Sequence, residues 1–264
     1  MHISPILYLF LQLNIWLCFT SLLMILATAS ALSIPISSIG MGLLLPSLLF
    51  YFIYIEDRRN VSSEDRINNP YRTHLVEQYR TPLLVTEIVA LCTYELILIF
   101  FILSQSGIGP VYLVAGQLPF VVLALYGRLK QYPTFDSIAV GSTWAFVILF
   151  SVIVSSAQPV SVEVLKVFAA WFIIVFAGVE SRNIQDIEGD TQVEKATLAS
   201  YLGRRKTKLL EVSLKAMAVL VFWLIADIVT GIIVLLYLIL LQLFRFLTRR
   251  EDELMSAKQE SLSD

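Results

Sequence analysis

The stretch that decides the fold is "WFIIVFAGVESRNIQDIEGD", Trp171–Asp190. It is apolar up to Val179, and two amides and three carboxylates then fall within Asn183–Asp190. An apolar run of about 20 residues is typical of a membrane helix, and the run that ends here is that long. Charged side chains are costly inside a bilayer. The pattern therefore predicts a membrane helix that delivers carboxylates to one membrane surface.

The composition of the whole chain supports a membrane protein. The 264 residues are 57% hydrophobic and 15% charged, with a mean hydropathy of +0.77. Soluble domains are about 45–50% apolar and about 25% charged. The net charge of −2 gives no reason to expect a nucleic-acid partner.

Eight apolar runs follow one another along the chain. The sequence therefore predicts an all-α, polytopic transmembrane bundle of about eight spans, arranged as two four-helix halves around a central cavity. We expect one domain over 1–247 and a polar, disordered tail over 248–264. The predicted spans are about 5–29, 35–55, 82–104, 110–127, 137–156, 162–180, 207–226 and 228–247.

The distribution of basic residues predicts the orientation. Of the 19 Lys and Arg residues, all but Lys166 and Lys215 follow an even-numbered span. Lys and Arg favour the cytoplasmic side of a membrane. We therefore expect an integral, multi-pass protein whose termini and acidic segments are cytoplasmic.

Carboxylates recur at helical spacing in two segments. In "YFIYIEDRRNVSSEDRINNPYR", Tyr51–Arg72, a continuous helix would align Asp57, Val61, Glu64 and Asn68 before Asn69-Pro70 ends it. In the second segment Asn183, Asp186 and Asp190 share one helical face, whereas Glu188 points elsewhere.

Clustered carboxylates repel one another unless a cation lies between them. Mg²⁺ prefers oxygen ligands and is often held by one or two carboxylates plus substrate phosphates. Nearby basic residues can bind phosphate oxygens, arginine in bidentate fashion. Acids and bases above an apolar bundle suit a substrate with a diphosphate head and a hydrocarbon tail.

The second segment, "RNIQDIEGDTQVEKATLASYLGRRKT", resembles the second Asp-rich motif of the UbiA-type prenyltransferase superfamily, D-x-x-D-x-E-G-D followed by T-L and L-G-basic. Asn183 replaces the leading Asp. The matching residues are Asp186, Glu188, Gly189, Asp190, Thr197, Leu198, Leu202, Gly203 and Arg204.

The first segment is similar to the family's first motif, N-D-x-x-D-x-x-x-D followed by N-K-P-x-R-P. Asn68, Pro70 and Arg72 match its tail, and Asp57-Arg58 stands for the central D-R, although a gapless alignment would use Glu56. "SSEDRINNPYR" is similar to a variant form, S-x-E-D-x-x-N-K-P. "YGRLKQYPTFDSIAVGSTWAF", from Tyr126, resembles the family's Tyr-x-x-x-Lys stretch.

The resemblance implies a ring of membrane helices around an apolar cavity, with Mg²⁺ and a prenyl diphosphate at its polar end. The catalytic carboxylates implied are Asp57, Asp186 and Asp190, and the Mg²⁺ ligands are these three and Asn183. The substrate-binding residues implied are Glu64, Asp65, Asn68, Arg72, Tyr126, Arg128, Lys130, Arg182 and Lys195. Family members usually have nine helices, and this chain lacks the ninth and the Arg-Pro that often precedes the first.

Three functions compete on this basis. The first is transfer of the prenyl group to a lipophilic acceptor, such as an aromatic one. The second is cyclisation of a prenyl diphosphate such as farnesyl diphosphate, which the altered first motif and the missing ninth helix favour. The third is a non-catalytic membrane protein with a vestigial site. Membrane lipids are the remaining expected partners.

Three polar residues lie within the predicted spans, and two of them have two interpretations each. Glu95 fits a pocket acid or base equally well as a hydrogen bond between helices, and Asn14 has the same ambiguity. Glu87 is a buried charge of the kind that is often functional in membranes.

Overall fold

The computed structural model describes residues 10–61, 66, 70–129, 132, 134–192 and 197–263. Their regular structure is helical throughout, with no strand among them, which confirms the all-α prediction. A 3₁₀ turn covers Gly40–Leu43. The helices are α1 Trp16–Ala31, α2 Ile36–Ile39, α3 Leu44–Arg59, α4 Pro70–Gln78, α5 Arg80–Ser104, α6 Val111–Gly116, α7 Leu118–Leu129, α8 Phe135–Ser156, α9 Val162–Gln192, α10 Leu198–Leu202, α11 Arg204–Ile225 and α12 Ile228–Ser263.

Six helical segments of the described chain are long and apolar enough to cross a membrane, and each coincides with a predicted span. The other two spans stay predictions. Within the described residues α1 has only 16 residues, and α11 carries charges through its first half, from Arg204 to Lys215. The six segments are Ile36–Arg59, Arg80–Ser104, Val111–Arg128, Phe135–Ser156, Val162–Ile187 and Ile228–Thr248.

The helices pack in a closed ring. Contacts run in the order α1, α3, α5, α6, α7, α8, α9, α11 and α12, and α12 packs back on α1. Helix α8 also contacts α1 and α3. In its apolar 18-residue stretch 72% of the residues are buried inside the protein, against 39% or less in the other candidate spans. A buried hydrogen bond of 2.8 Å from Trp171 Nε1 to Thr28 Oγ1 joins α9 to α1. The ring therefore holds α8 on its inner side.

Prolines mark the starts of the helices. Proline is tolerated in the first turn because its missing N–H has no intrahelical partner there. Pro35 and Pro110 are N-caps, and Pro46, Pro70, Pro82 and Pro119 lie in first turns. No proline follows the first turn in α3, α5, α7, α8, α9 or α12, so each of these helices continues without a proline break.

The first acidic segment does not form the continuous helix expected from its spacing. Helix α3 ends at Arg59, and its C-cap Asn60 leaves helical geometry with φ −89° and ψ 65°. Helix α4 begins at Pro70. The prediction that one continuous helix aligns Asp57, Val61, Glu64 and Asn68 is therefore wrong. The helix ends at its C-cap, Asn60, because asparagine favours a turn over continuation of the helix.

The second acidic segment is more regular than a loop. Helix α9 runs unbroken from Val162 to Gln192, so Asn183, Asp186 and Asp190 share one helix as predicted. Disorder in the tail was a wrong expectation, because α12 continues to Ser263. Residues 249–263 contain neither Gly nor Pro, and extending an existing helix avoids the cost of nucleation.

Candidate active site

A cavity of about 760 Å³ lies inside the helix ring. Its polar end is formed by the ends of α3, α7 and α9, the middle of α12 and the starts of α4, α8 and α11. Its deeper part is apolar, with Met24, Ile53, Ile174, Val175 and Leu241 among its lining. Ligand cavities are typically about 300–1,000 Å³. This one suits a molecule that is charged at one end and apolar at the other.

Helix α9 supplies one acidic wall of the polar end. Asn183, Asp186 and Asp190 all line the cavity, and Asn183 and Asp190 are 4% and 1% exposed. Arg182 lines it too, with Nε 3.5 Å from Asp186 Oδ2. The structure thus brings four predicted site residues together on two turns of helix.

Of the two acids in the last turn of α3, one faces the cavity and the other does not. Asp57 lines the cavity, whereas Glu56 turns away and accepts a hydrogen bond of 2.5 Å from Arg59 Nη2. The adjacent Arg58 also lines the cavity, is 4% exposed, and lies 3.7 Å from Asp57 between Nη1 and Oδ2. Of these two acids in the last turn of α3, Asp57 rather than Glu56 therefore faces the site.

Two further predicted residues reach the cavity. Arg72, in the first turn of α4, lines it and is 7% exposed. Tyr126, near the end of α7, lines it and donates a short hydrogen bond to Asp136 in the first turn of α8. Arg128 is exposed and does not line the cavity, because two residues of helix turn it away from the face of Tyr126.

The residues of the second segment that match T-L and L-G-basic form the short helix α10 and the turn that follows it. Thr197 caps α10 in a reciprocal capping box with Ser200, at 3.1 Å from Thr197 Oγ1 to the Ser200 N–H. Gly203 follows at φ +80°, a conformation that glycine adopts without steric cost. The chain then enters α11 with Arg204, which lines the cavity.

Sequence reasoning missed several charged residues of this site. Arg58 is part of the central D-R match and Asp136 lies within the quoted Tyr-x-x-x-Lys stretch, but neither was predicted as a site residue. Lys208 and Arg245 lie outside the recognised motifs. Among the described residues, six basic side chains line the cavity against four carboxylates. The excess of positive charge favours an anionic ligand. The basic residues are Arg58, Arg72, Arg182, Arg204, Lys208 and Arg245, and the acids are Asp57, Asp136, Asp186 and Asp190.

Aromatic rings line the cavity below its charged end. Phe50 and Tyr54 of α3 and Trp144 of α8 all line it, and the Tyr54 and Trp144 ring centroids are 5.1 Å apart. The faces of aromatic rings attract cations electrostatically. A positively charged carbon formed at this depth would therefore be stabilised by its surroundings.

The oxygen donors at the polar end fit a hard cation completed by a ligand. No three His, Cys, Asp or Glu side chains of the described chain lie close enough to hold a metal by themselves. Mg²⁺ does not require such a cage, because one or two carboxylates and substrate phosphates usually suffice. Asp57, Asn183, Asp186 and Asp190 offer that donor type around one cavity.

Other predicted residues lie elsewhere. Glu64, Asp65, Asn68, Lys130 and Lys195 are outside the described residues, as is the side chain of Glu188. Glu95 accepts a hydrogen bond of 3.3 Å from Gln117 Nε2 and does not line the cavity, so the interhelical interpretation holds. Asn14 does line it, in the turn that precedes α1, with φ +56°.

Comparisons with known proteins agree with this geometry. The model of the UbiA prenyltransferase family matches residues 62–259. Two solved structures of a UbiA homolog from Archaeoglobus fulgidus share the fold over 91% of this chain and 86% of that chain. The one bound to GPP and Mg²⁺ has 17% identity and a TM-score of 0.54, and the one bound to DMAPP and Mg²⁺ has 16% and 0.57. No curated protein matches the sequence significantly.

Proposed function

This chain belongs to the UbiA prenyltransferase family, and on that premise we propose that it is a Mg²⁺-dependent membrane prenyltransferase. It ionises a prenyl diphosphate and transfers the prenyl group to a lipophilic acceptor, such as an aromatic one. The Archaeoglobus fulgidus homolog binds GPP or DMAPP together with Mg²⁺, which supports the same substrate class here.

The observation that carries the proposal is the two-part cavity. Asp57 from one half of the chain and Asn183, Asp186 and Asp190 from the other surround its polar end, together with an excess of basic residues. Its apolar depth matches an isoprenoid tail. A transporter or scaffold has no need of carboxylates and arginines facing each other above an apolar, aromatic-lined chamber.

Asp57, Asn183, Asp186 and Asp190 would hold Mg²⁺, which supplies neutralisation of the leaving group's charge. Arg72 and Arg182 donate hydrogen bonds to the non-bridging phosphate oxygens. The bond between the prenyl carbon and oxygen breaks, and its electron pair leaves with the diphosphate. Preorganised donors favour this step because they stabilise charge that develops in the transition state.

The allylic cation then lies among the rings of Phe50, Tyr54 and Trp144. These rings stabilise it and the apolar lining excludes water. An electron pair of the acceptor forms the new bond to the prenyl carbon, and the acceptor loses a proton to a basic group or to solvent. The outcome is a prenylated acceptor, diphosphate and a proton.

The second candidate is a terpene cyclase, in which a double bond of the substrate itself attacks the cation. One observation favours it: the C-cap Asn60 ends α3 where the family's first motif would continue. Both candidates use the same ionisation site and differ only in the nucleophile.

Product analysis distinguishes the candidates. Purified protein in detergent is incubated with DMAPP, GPP and farnesyl diphosphate, with and without Mg²⁺ and with and without lipid extract as acceptor source. Transfer gives Mg²⁺-dependent diphosphate release that rises with extract and a prenylated lipid by mass spectrometry. Cyclisation gives release and a hydrocarbon product without extract. Absence of diphosphate release under every condition would support the non-catalytic function. The Asp186→Ala variant serves as the inactive control.

We also propose that the polar end of the cavity and both termini face the cytoplasm, with 1–247 as the catalytic membrane domain and 248–264 as a cytoplasmic extension. The asymmetry of Lys and Arg supports this orientation. It places a water-soluble diphosphate head at the cytoplasmic surface and the isoprenoid tail within the bilayer.

A further inference from the structure

Arg245 lies outside every recognised motif, yet it faces the cavity. It belongs to a stripe of α12 in which Tyr237, Leu241, Arg245 and Thr248 all line the chamber. These positions are spaced by three or four residues, so they share one face of the helix. Leu241 lies on the apolar side of Arg245 and Thr248 on the polar side. Arg245 therefore stands at the boundary between the two parts of the cavity.

The guanidinium is held in place by α9. Its Nη2 donates a hydrogen bond of 2.9 Å to the carbonyl oxygen of Gly178. A Cβ atom at position 178 would lie only 3.3 Å from the same nitrogen, so glycine leaves room for this approach. The contact fixes one edge of the guanidinium against α9, and Nη1 forms the other edge.

That other edge has no partner within the described chain. Arg245 Nη1 is buried and forms no hydrogen bond there. No carboxylate of the described residues pairs with Arg245, whereas Arg59, Arg66 and Lys215 each have an acidic partner. The nearby Glu211 is already occupied by Lys208 and Lys215. A buried, unmatched cation is costly, and an anionic ligand would remove that cost.

The depth of Arg245 identifies which part of a ligand it meets. Its partner Gly178 lies four residues before Arg182 and eight before Asp186 on α9. At a rise of about 1.5 Å per residue, these offsets are about 6 and about 12 Å along the helix. Arg245 is thus deeper than Asp186 and Asp190, the carboxylates of α9 proposed to hold Mg²⁺, and it borders the apolar lining.

From this geometry we propose that Arg245 binds the inner phosphate of the prenyl diphosphate, the one esterified to the isoprenoid. The inference rests on the proposed function. Gly178 orients the guanidinium, and Nη1 donates to an oxygen of the phosphate that becomes the leaving group. Arg245 therefore contributes to substrate binding and stabilises negative charge as the carbon–oxygen bond breaks.

The test compares Arg245→Gln with Arg250→Gln, an exposed arginine further along the same helix. The readouts are the inhibition constant of inorganic pyrophosphate, the inhibition constant of a prenyl monophosphate, and the KM for the prenyl diphosphate, all from Mg²⁺-dependent diphosphate release. We expect R245Q to raise all three about tenfold or more, the size typical of a lost hydrogen bond to a charged group. R250Q should stay within twofold of wild type.

A purely structural role predicts a different pattern. Loss of the Gly178 contact alone would lower the melting temperature in detergent and the active fraction, while the three constants stay unchanged, and that result would overturn the proposal. It would also be overturned if only the acceptor's KM rose, because Arg245 would then bind the acceptor.

If R245Q does not fold, R245K retains charge and bulk but loses the two-edged geometry. We then expect R245K to raise the two inhibition constants and the KM several-fold, and unchanged constants in R245K would refute the assignment.

Failure of this inference is separable from failure of the proposed function. If wild-type protein releases no diphosphate and binds no pyrophosphate in a thermal-shift assay with Mg²⁺, the proposed function fails. If wild type does both and R245Q matches it, only the role of Arg245 fails.

Discussion

Arg59 donates a hydrogen bond of 2.6 Å from Nε to Glu87 Oε2, which ties the last turn of α3 to α5. Arg59 also pairs with Glu56, and Glu87 is only 4% exposed. Neither Arg59 nor Glu87 lines the central cavity. The buried charge of Glu87 therefore joins two helices near the polar end of the cavity and holds α3 in the position from which Asp57 faces the cavity.

Replacing Glu87 with Gln should destabilise the protein without changing its chemistry. Arg59 would lose a charged partner in a poorly solvated position, and the expected loss is about 1.5–3 kcal/mol, the range for hydrogen bonds to charged groups. Denaturant unfolding in mixed micelles measures it. The matched control is Glu77→Gln, which removes the acid of the exposed Arg66–Glu77 pair and should cost less than about 1 kcal/mol. Equal losses in the two variants would contradict the structural role of Glu87.

Asp190 and Arg72 come from opposite halves of the chain and line one cavity. Asp190→Asn should lower activity and raise the Mg²⁺ concentration required, because a ligand loses its charge. Arg72→Ala should weaken binding of the diphosphate. Since both act on one transition state, the double variant should lose less than the product of the single losses. Initial rates of diphosphate release at several Mg²⁺ concentrations measure this for the four proteins. Strict independence of the two losses would argue against a shared site.

Glu188 should matter less than Asp186 and Asp190. It lies on the same regular helix but two residues from each of them, so it belongs to a different face. Alanine at position 186 or 190 should reduce diphosphate release at least tenfold, whereas alanine at 188 should reduce it only a few-fold. Steady-state rates with matched expression and melting temperatures provide the comparison, and three equal losses would contradict the one-face arrangement.

The orientation of the bundle is testable by labelling. Single cysteines at Ser62 and Gln158, in a background without Cys18 and Cys92, should react with a membrane-impermeant reagent from opposite sides. Ser62 belongs to the first acidic segment, and Gln158 lies in the exposed turn between α8 and α9. Labelling of right-side-out and inverted vesicles decides the question, and reaction from the same side would refute the proposed orientation.

Much of the fold follows from local sequence properties. The spans on α3, α5, α7, α8, α9 and α12 were predictable because each is an apolar run bounded by polar or proline-containing segments. The helical face of Asn183, Asp186 and Asp190 was predictable because spacing along one regular helix determines which residues share a face. The predicted helical stripe through Asp57 was wrong because it required one helix to continue past Asn60. The chain leaves the helix there, and residue spacing alone does not reveal this.

The amino-acid sequence by itself determined that this chain is a helical membrane protein of the UbiA family with an acidic motif on α9, because hydropathy and motif spacing are local quantities. Only the tertiary structure decided that Asp57 rather than Glu56 faces the cavity, and that Glu87 pairs with Arg59. It also decided that Arg58, Asp136 and Arg245 line the same cavity as the acids of α9. The physical reason is that which side of a helix faces the cavity depends on how the neighbouring helices pack, and that packing joins residues far apart in the chain.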